Sequence, residues 1–259
     1  MPRVRQPELA EILDFCAREP VERVFLEDVA RRGLGRFHAV GSRDGLTALC
    51  HVGTNVVPSG ADCGSFARVV AASGTRMLIG EERAVSELWD AAARRMPSPR
   101  EDRPGQPVYV LEEPPEPGGS GLRQASEGDF ELLLPACAAA HQEELGVNPL
   151  ERDARAYAWR TRTQIEDGRS WIWRENDTIL FKAEASAWTP AVAQLQQVWV
   201  DPEQRRRGYA ERALRDLCRL LLQRVPTVCL FVRPENIAAI RLYEAVGMRQ
   251  TISYRSVLL

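Results

Sequence analysis

The segment RRRG, residues 205–208, joins a run of apolar strand-forming residues to an amphipathic helix pattern. The strand pattern stops at Asp201-Pro202, because proline cannot continue a hydrogen-bonded ladder. The start of the following helix offers free backbone N–H groups and a partial positive charge, which favour an anion. Gly208 lets a bulky anion approach the backbone, and the three arginines add positive charge. The segment therefore predicts a pyrophosphate-binding loop, although a solvated, arginine-rich turn is an alternative.

A second segment, ENIAAIRLYEAVGM at residues 235–248, predicts a helix after a buried strand. Asn236 is a good N-cap and Gly247 is a typical residue for the helix end. One face carries Ala239, Leu242, Tyr243 and Val246. Tyr243 has the only polar tip on that face, and an ordinary core tyrosine is the alternative interpretation.

Together the two segments resemble the GNAT superfamily of acyl-CoA-dependent N-acyltransferases. Its R/Q-x-x-G-x-G/A signature is matched by Arg205, Gly208 and Ala210. Its N-x-x-A-x-x-L-Y-x-x-x-G helix is matched by Asn236, Ala239, Leu242, Tyr243 and Gly247. The resemblance covers residues 122–259. The whole chain also resembles a two-part subgroup in which such a domain follows an N-terminal domain of unknown function.

The resemblance implies that the pantetheine arm of acetyl-CoA lies between two parallel strands that splay apart, ending at Val200 and Val232. Backbone groups there would polarise the thioester carbonyl, and Tyr243 would protonate the departing thiolate. A phenol of pKa about 10 suits a thiol of pKa about 8.5. The implied cofactor-binding residues are Val198, Trp199, Val200, Arg205, Arg206, Arg207, Gly208, Tyr209, Ala210, Asn236 and Ala239.

The acceptor amine must lose a proton before it attacks, since a free lysine-type amine has a pKa of about 10.4. Many family members carry a glutamate on the strand before the loop, whereas this strand reads AQLQQVWV. On the neighbouring strand pattern ILFKAEASAW, alternation places Lys182, Glu184 and Ser186 on one face. Glu184 is therefore the predicted general base, acting directly or through water. A partly exposed ion pair between Glu184 and Lys182 is the alternative.

These features predict an acetyl-CoA-dependent N-acetyltransferase that moves an acetyl group to a primary amine by direct attack in a ternary complex. The alternative is a non-catalytic acyl-CoA-binding sensor, which the glutamine-rich strand favours. The acceptor is a small molecule or a protein, and the acids Glu143, Glu144, Glu151 and Asp153 are candidates to attract it. Nucleic-acid binding by residues 201–224 is disfavoured, because no aromatic stripe accompanies their arginines.

Composition limits the function classes further. A formal net charge of −2 gives no bulk field toward nucleic acid or membrane. No apolar run approaches the roughly 20 residues that span a bilayer, and no N-terminal signal stretch is visible. The three histidines lack metal-ligand spacing, and the six cysteines include no CxxC pair. We therefore expect a reduced, cytoplasmic protein without a metal.

The organisation that positions these residues is α/β, with an α+β mixed sheet and a GNAT fold at the C-terminus. Residues 112–121 (EEPPEPGGSG) predict a linker. Residues 1–111 predict a small α/β domain of uncertain role, with a degenerate copy of the same fold as one option, and residues 122–259 the acetyltransferase domain. No repeat stands out at a fixed period.

A second glycine pair, in ARRGLGRF at residues 30–37, imitates the phosphate-binding signature. Its leading position is Ala30, the residues before it favour an amphipathic helix, and the residues after it favour a strand. The pair therefore predicts a helix end and a turn, not an anion site. We expect one acetyl-CoA per chain, bound by residues 122–259.

Overall fold

The computed structural model describes residues 3–42 and 45–259. Its helices are α1 (Leu9–Ala17), α2 (Pro20–Arg31), α3 (Ala67–Ala71), α4 (Glu82–Ala92), α5 (Phe130–Leu145), α6 (Pro149–Glu166), α7 (Tyr209–Leu222) and α8 (Ile237–Val246). Its strands are β1 (Arg36–Ser42), β2 (Gly45–Val52), β3 (Val56–Gly60), β4 (Met77–Glu81), β5 (Glu101–Leu111), β6 (Arg123–Gln124), β7 (Ser170–Glu175), β8 (Thr178–Trp188), β9 (Val192–Val200), β10 (Thr227–Phe231) and β11 (Arg249–Leu258).

These strands form one mixed sheet, in the order β1-β2-β3-β4-β11-β5-β10-β9-β8-β7-β6. The α/β class with a mixed sheet, predicted from the sequence, is confirmed. One continuous sheet was not expected, because the sequence suggested two folded parts separated by a linker.

The two parts of the chain repeat one order of elements. Apart from the short strand β6, which precedes α5, each runs through two helices, three antiparallel strands, a helix, a strand parallel to the one before that helix, another helix and a final strand. The sequence shows no fixed period because equivalent elements differ in length. The helix before the parallel strand has 5 residues in α3 and 14 in α7.

The final strands of the two parts are exchanged. β5 pairs with β10, where Val228 lies opposite Leu111, and β11 pairs with β4, where Tyr254 lies opposite Glu81. β5 and β11 also pair with each other in the middle of the sheet. Each part therefore receives an interior strand from the other. The domain boundaries read from the sequence remain a prediction.

The proline- and glycine-rich segment between the parts is bound to α7. The Asp216 carboxylate accepts hydrogen bonds from the backbone N–H groups of Gly118 and Ser120, each at 2.7 Å. A Cβ atom at Gly118 would lie 1.9 Å from the Arg212 carbonyl oxygen, so only glycine fits there. This docking fixes α7, whose N-terminus carries the predicted anion site.

α7 packs on the sheet through the stripe predicted from the sequence. Its buried residues are Ala213, Leu214, Leu217, Cys218 and Leu221. All six cysteines are buried and free. Within the described ranges, no helix combines the length and the apolar character that a membrane span requires, and no three acidic, His or Cys side chains gather as metal ligands.

The glycine pair near residue 33 forms a helix end, as predicted. α2 ends at Arg31, and the Leu34 N–H donates to the Val29 carbonyl at 2.9 Å. Gly33 and Gly35 have φ values of 65° and 70°, in the left-handed region that glycine tolerates. β1 follows at once, so no helix N-terminus is available here for an anion.

Candidate functional site

A cleft opens between the parallel strands β9 and β10. In the described chain the two pair only over three positions, from Val192 opposite Thr227 to Gln194 opposite Cys229. β9 then continues to Val200 and β10 to Phe231 without further pairing between them. The strands therefore part at the level where the sequence predicted a cofactor cleft.

A bulge in β9 accompanies this separation. Lys182 of β8 lies opposite Trp199, but Glu184 lies opposite Gln196, so β9 holds one extra residue between these pairs. Gln197 within the bulge has φ 48°, which few non-glycine residues adopt. The bulge changes the course of β9 before Val198, Trp199 and Val200.

The start of α7 fits a phosphate group. Gly208 has φ 79°, and a Cβ atom built there would meet no atom within 4 Å. The first helical hydrogen bond runs from the Arg212 N–H to the Gly208 carbonyl, and no side chain caps this end. The N–H groups of Tyr209, Ala210 and Glu211 therefore have no helical acceptor.

The arginines of the loop differ in their surroundings. Arg205 pairs with the Glu143 carboxylate at 2.7 Å, and its Nε donates to the Val200 carbonyl at 3.2 Å. Arg206 and Arg207 are exposed and have no ion-pair partner within the described ranges. Two of the three predicted guanidinium groups are therefore free to reach an anion, and Arg205 is held across the cleft.

Two other predicted cofactor residues have partners inside the protein. The Asn236 side chain accepts from the Ala239 N–H at 3.1 Å and so caps α8 itself. The Tyr209 ring packs edge-on against Trp173 with the ring centroids 4.9 Å apart. Their side chains serve the fold, and any contact of Tyr209 with an anion would come from its backbone N–H.

Tyr243 lies on the buried face of α8 and is 6% exposed. Its ring centroid is 5.8 Å from that of Tyr109, which belongs to the exchanged strand β5. Burial, followed by the charge of Glu144, raises the pKa of Tyr243 above its usual value. Among the described residues no protein group hydrogen-bonds its hydroxyl, so the proton is retained and available to a ligand.

Glu184 forms an ion pair with Lys182 at 2.9 Å, as in the alternative interpretation of the sequence, but the pair is fully buried and not partly exposed. Arg160 also contacts its carboxylate, at 3.0 Å. Burial alone would raise the pKa of Glu184, but Lys182 and Arg160 hold it below its usual range. A carboxylate that is ionised, enclosed and saturated with donors is a poor base, so the predicted role of Glu184 as general base is not supported.

The last turn of α5 crosses the mouth of the cleft. The Glu143 carboxylate accepts from Trp199 Nε1 at 3.0 Å as well as from Arg205, and its carbonyl accepts from Arg233 at 3.3 Å. Arg103 of β5 donates to the Glu144 carbonyl at 3.3 Å. Groups from four parts of the fold thus fix this turn, which the sequence indicated only as a run of acids.

Glu144 itself was not among the residues predicted to be catalytic. Its side chain is exposed and its carboxylate has no partner among the described residues. Desolvation by the neighbouring protein raises the pKa of Glu144, although the charges of Arg103 and Arg233 act in the opposite direction. It is also the charged group that raises the pKa of Tyr243, so the two side chains share one part of the cleft.

The corresponding position in the first part of the chain is closed. β3 and β4 pair at Val56 and Leu78, and a Cβ atom at Gly80 would lie only 3.1 Å from the Pro58 carbonyl oxygen. The Cys63 N–H, at the start of the 3-10 turn before α3, donates to the Glu87 carboxylate at 2.8 Å. A side chain of the protein therefore takes the place of an external anion.

We accordingly predict that the full chain binds one acetyl-CoA. The N–H groups at the start of α7 have no acceptor in the helix, whereas the equivalent N–H of Cys63 already donates to the Glu87 carboxylate. Calorimetric titration of the intact protein measures the stoichiometry. A second equivalent of acetyl-CoA bound by the native protein would contradict this assignment. A chain that begins at Gly118 is not a suitable test, because it lacks β5, which lies between β10 and β11.

Comparison with known proteins agrees with this architecture. Residues 134–248 match the model of the acetyltransferase (GNAT) family, and residues 35–133 match that of a domain of unknown function, DUF4081. No curated protein matches the chain.

Solved structures of similar fold cover nearly the whole chain. A GNAT-family acetyltransferase from Colwellia psychrerythraea is 11% identical, with 99% of each chain covered and a TM-score of 0.60. A GCN5-related N-acetyltransferase from Sphaerobacter thermophilus is 18% identical, covering 98% of this chain and 94% of that one, with a TM-score of 0.58. A tandem GNAT protein from the clavulanic acid biosynthesis pathway is 12% identical, covering 100% and 98%, with a TM-score of 0.59. These likenesses concern the fold.

Proposed function

We propose that this protein, in which residues 134–248 match the acetyltransferase (GNAT) family and residues 35–133 match a domain of unknown function, transfers an acetyl group from acetyl-CoA to a primary amine. The observation that carries the proposal is the uncapped start of α7 beside the separated strands β9 and β10. A pyrophosphate and a pantetheine arm need such an anion site next to such a slot.

In this proposal the backbone binds most of the cofactor. The N–H groups of Tyr209 and Ala210 hold the pyrophosphate, and the exposed Arg206 and Arg207 add charge. The backbone of Val198, Trp199 and Val200 lines the slot for the pantetheine. An N–H group fixed there stabilises the negative charge that develops on the carbonyl oxygen during attack, which lowers the barrier to acetyl transfer.

Tyr243 supplies the proton that the departing thiolate needs. Its raised pKa keeps the phenol protonated at neutral pH, and its hydroxyl is not committed to any described protein group. A phenol that is still protonated when the thiolate forms beside it can donate its proton as a general acid.

Glu144 is the group that we propose prepares the amine. An ammonium ion is attracted to a carboxylate, and Glu144 has no competing partner among the described residues. It can therefore bind the cationic acceptor and accept its proton, the role that Glu184 cannot fill.

Glu144→Gln is expected to lower kcat/KM for the amine by roughly a hundred- to ten-thousandfold, the range for loss of a general base. The dissociation constant for acetyl-CoA should stay unchanged. The loss should shrink as pH rises toward the pKa of the amine, about 10.4 for a lysine type, because the free base then forms without help. Steady-state thiol release between pH 6 and 10 measures both effects.

Glu151→Gln is the matched control, since Glu151 is another acid of the same region and its carboxylate accepts from Asn148 at 3.0 Å. It should leave kcat/KM unchanged. Equal losses in the two variants would mean that a general negative field, and not Glu144 as a base, attracts the amine.

A sensor that binds acetyl-CoA without turnover is the second candidate. The observation that favours it is the glutamine content of β9, where Gln194, Gln196 and Gln197 stand on the strand that carries a glutamate in many relatives. Thiol release from acetyl-CoA across a panel of primary amines distinguishes the two. A sensor binds acetyl-CoA and releases no thiol with any amine.

A further inference from the structure

Lys182, the only lysine in the chain, is fully buried in the middle of β8 together with Glu184. An isolated ammonium group in such a place would be strongly unfavourable, so its partners must satisfy it. Lys182 Nζ lies 2.9 Å from Glu184 Oε1 and 3.1 Å from Cys137 Sγ. Its remaining contact is to β9, where Gln197 Oε1 accepts at 2.8 Å.

The glutamines of β9 pair one by one with the polar face of β8. Gln197 binds Lys182, and Gln196 Nε2 donates to Glu184 Oε2 at 3.1 Å. Gln194 Nε2 donates to Ser186 Oγ at 3.0 Å. The glutamines that leave β9 without a general base therefore form hydrogen bonds with the polar residues of β8.

Two of these pairs lie at the bulge of β9. The register between β8 and β9 shifts between Lys182 and Glu184, and Gln197 adopts its left-handed conformation there. A non-glycine residue with such a φ persists only where its surroundings hold it. The buried ion pair, through its hydrogen bonds to Gln196 and Gln197, contacts the residue that precedes the bulge and a residue within it.

We propose that the Lys182–Glu184 pair acts as a clamp that holds the β9 bulge and thereby keeps β9 apart from β10. Lys182 and Glu184 are then positioning residues, which act through Gln197 and Gln196. The catalytic consequence of the clamp rests on the proposed acetyl transfer, because the clamp aligns the backbone of residues 198–200 beside the thioester.

The test uses the full chain and the variant Gln197→Met, which keeps the shape of the side chain and removes the acceptor for Lys182. Gln164→Met is the matched control, because Gln164 contacts Glu184 at 3.5 Å from α6 and does not touch β9. Hydrogen exchange of the amides of residues 195–200 reports the bulge without any ligand. The exchange of residues 213–221 in α7 reports overall opening.

For Gln197→Met we expect exchange at residues 195–200 to become at least about tenfold faster, with α7 unchanged, since local opening is independent of global unfolding. We expect kcat/KM for acetyl-CoA to fall by about ten- to a hundredfold, the effect of a small misplacement of reacting groups. Gln164→Met should stay within about twofold of the native protein in both measurements, because it does not change the positions of the reacting groups.

A second variant removes both charges together, Lys182→Met with Glu184→Gln, so that neither is left unpaired in the interior. It should reproduce the local change in exchange; if it does not fold, Gln197→Met decides alone. The clamp would be overturned if Gln197→Met exchanged the amides of residues 195–200 at the native rate. It would also be overturned if exchange rose equally at residues 213–221 of α7. A native protein that fails to bind acetyl-CoA would overturn the proposed function, while the exchange comparison would still decide the clamp.

Discussion

Gly208→Glu is expected to abolish the binding of acetyl-CoA and to leave the fold intact. The new side chain would enter the space above the uncapped N–H groups of α7, where a Cβ atom meets nothing within 4 Å. Its carboxylate would take the hydrogen bonds meant for the pyrophosphate and repel that group. The φ of 79° adds strain of about 1–2 kcal/mol, which a domain of this size tolerates. Calorimetric titration and thermal unfolding measure the two effects.

Gly74→Glu provides the matched control, because Gly74 also has a positive φ, of 66°, with nothing within 4 Å of a Cβ atom. It lies just after α3, away from the cleft. The control should change Tm by an amount similar to that in Gly208→Glu, and it should bind acetyl-CoA with native affinity. If Gly208→Glu binds acetyl-CoA as tightly as the control does, the pyrophosphate does not bind at α7.

Tyr243→Phe is expected to reduce kcat by roughly a hundred- to ten-thousandfold with little change in the affinity for acetyl-CoA, the range for losing one general acid. Only the hydroxyl is removed, so the packing of the ring on Tyr109 is retained. Because burial raises the pKa of Tyr243, this tyrosine should not cause an alkaline loss of activity below about pH 10 in the native protein.

Tyr109→Phe serves as the comparison, because the Tyr109 ring packs against Tyr243. This substitution removes a hydroxyl that donates only a long hydrogen bond, of 3.4 Å, to the Glu244 carboxylate. Its kcat should be native. Turnover measured with a saturating amine, together with the dissociation constant for acetyl-CoA, separates the outcomes. Native kcat in Tyr243→Phe would remove the proton-donor role, and a large loss of affinity would assign Tyr243 to binding.

Much of the local structure could be predicted from the sequence. The stripe of α7, the cap at Asn236 and the helix end at Gly247 depend on residues close together in the chain, and all three are present. The strand β3 is difficult to predict from the sequence, because its segment VVPSG contains Pro58, which usually marks a turn or an edge. The exchange of β5 and β11 was missed because a strand pattern does not identify its neighbours.

The candidate site shows the same limit. Alternation correctly placed Lys182 and Glu184 on one face of β8, but only the packing of α5 and α6 shows that this face is sealed. Glu144 was visible only as one of several loop acids. Its position depends on where α5 ends relative to the cleft, and contacts from Arg103 and Arg233 that are distant in sequence determine that position.

The exchange of final strands also bears on how the chain is made. As the protein emerges from the ribosome, residues 1–111 are complete long before their sheet is, because β4 pairs with β11 and β5 pairs with β10 and β11. Until residues 249–258 have been synthesised, the nascent chain carries unpaired strand edges, a known hazard for aggregation. The two parts therefore cannot mature in succession, and stable folding of the first must await the translation of the second.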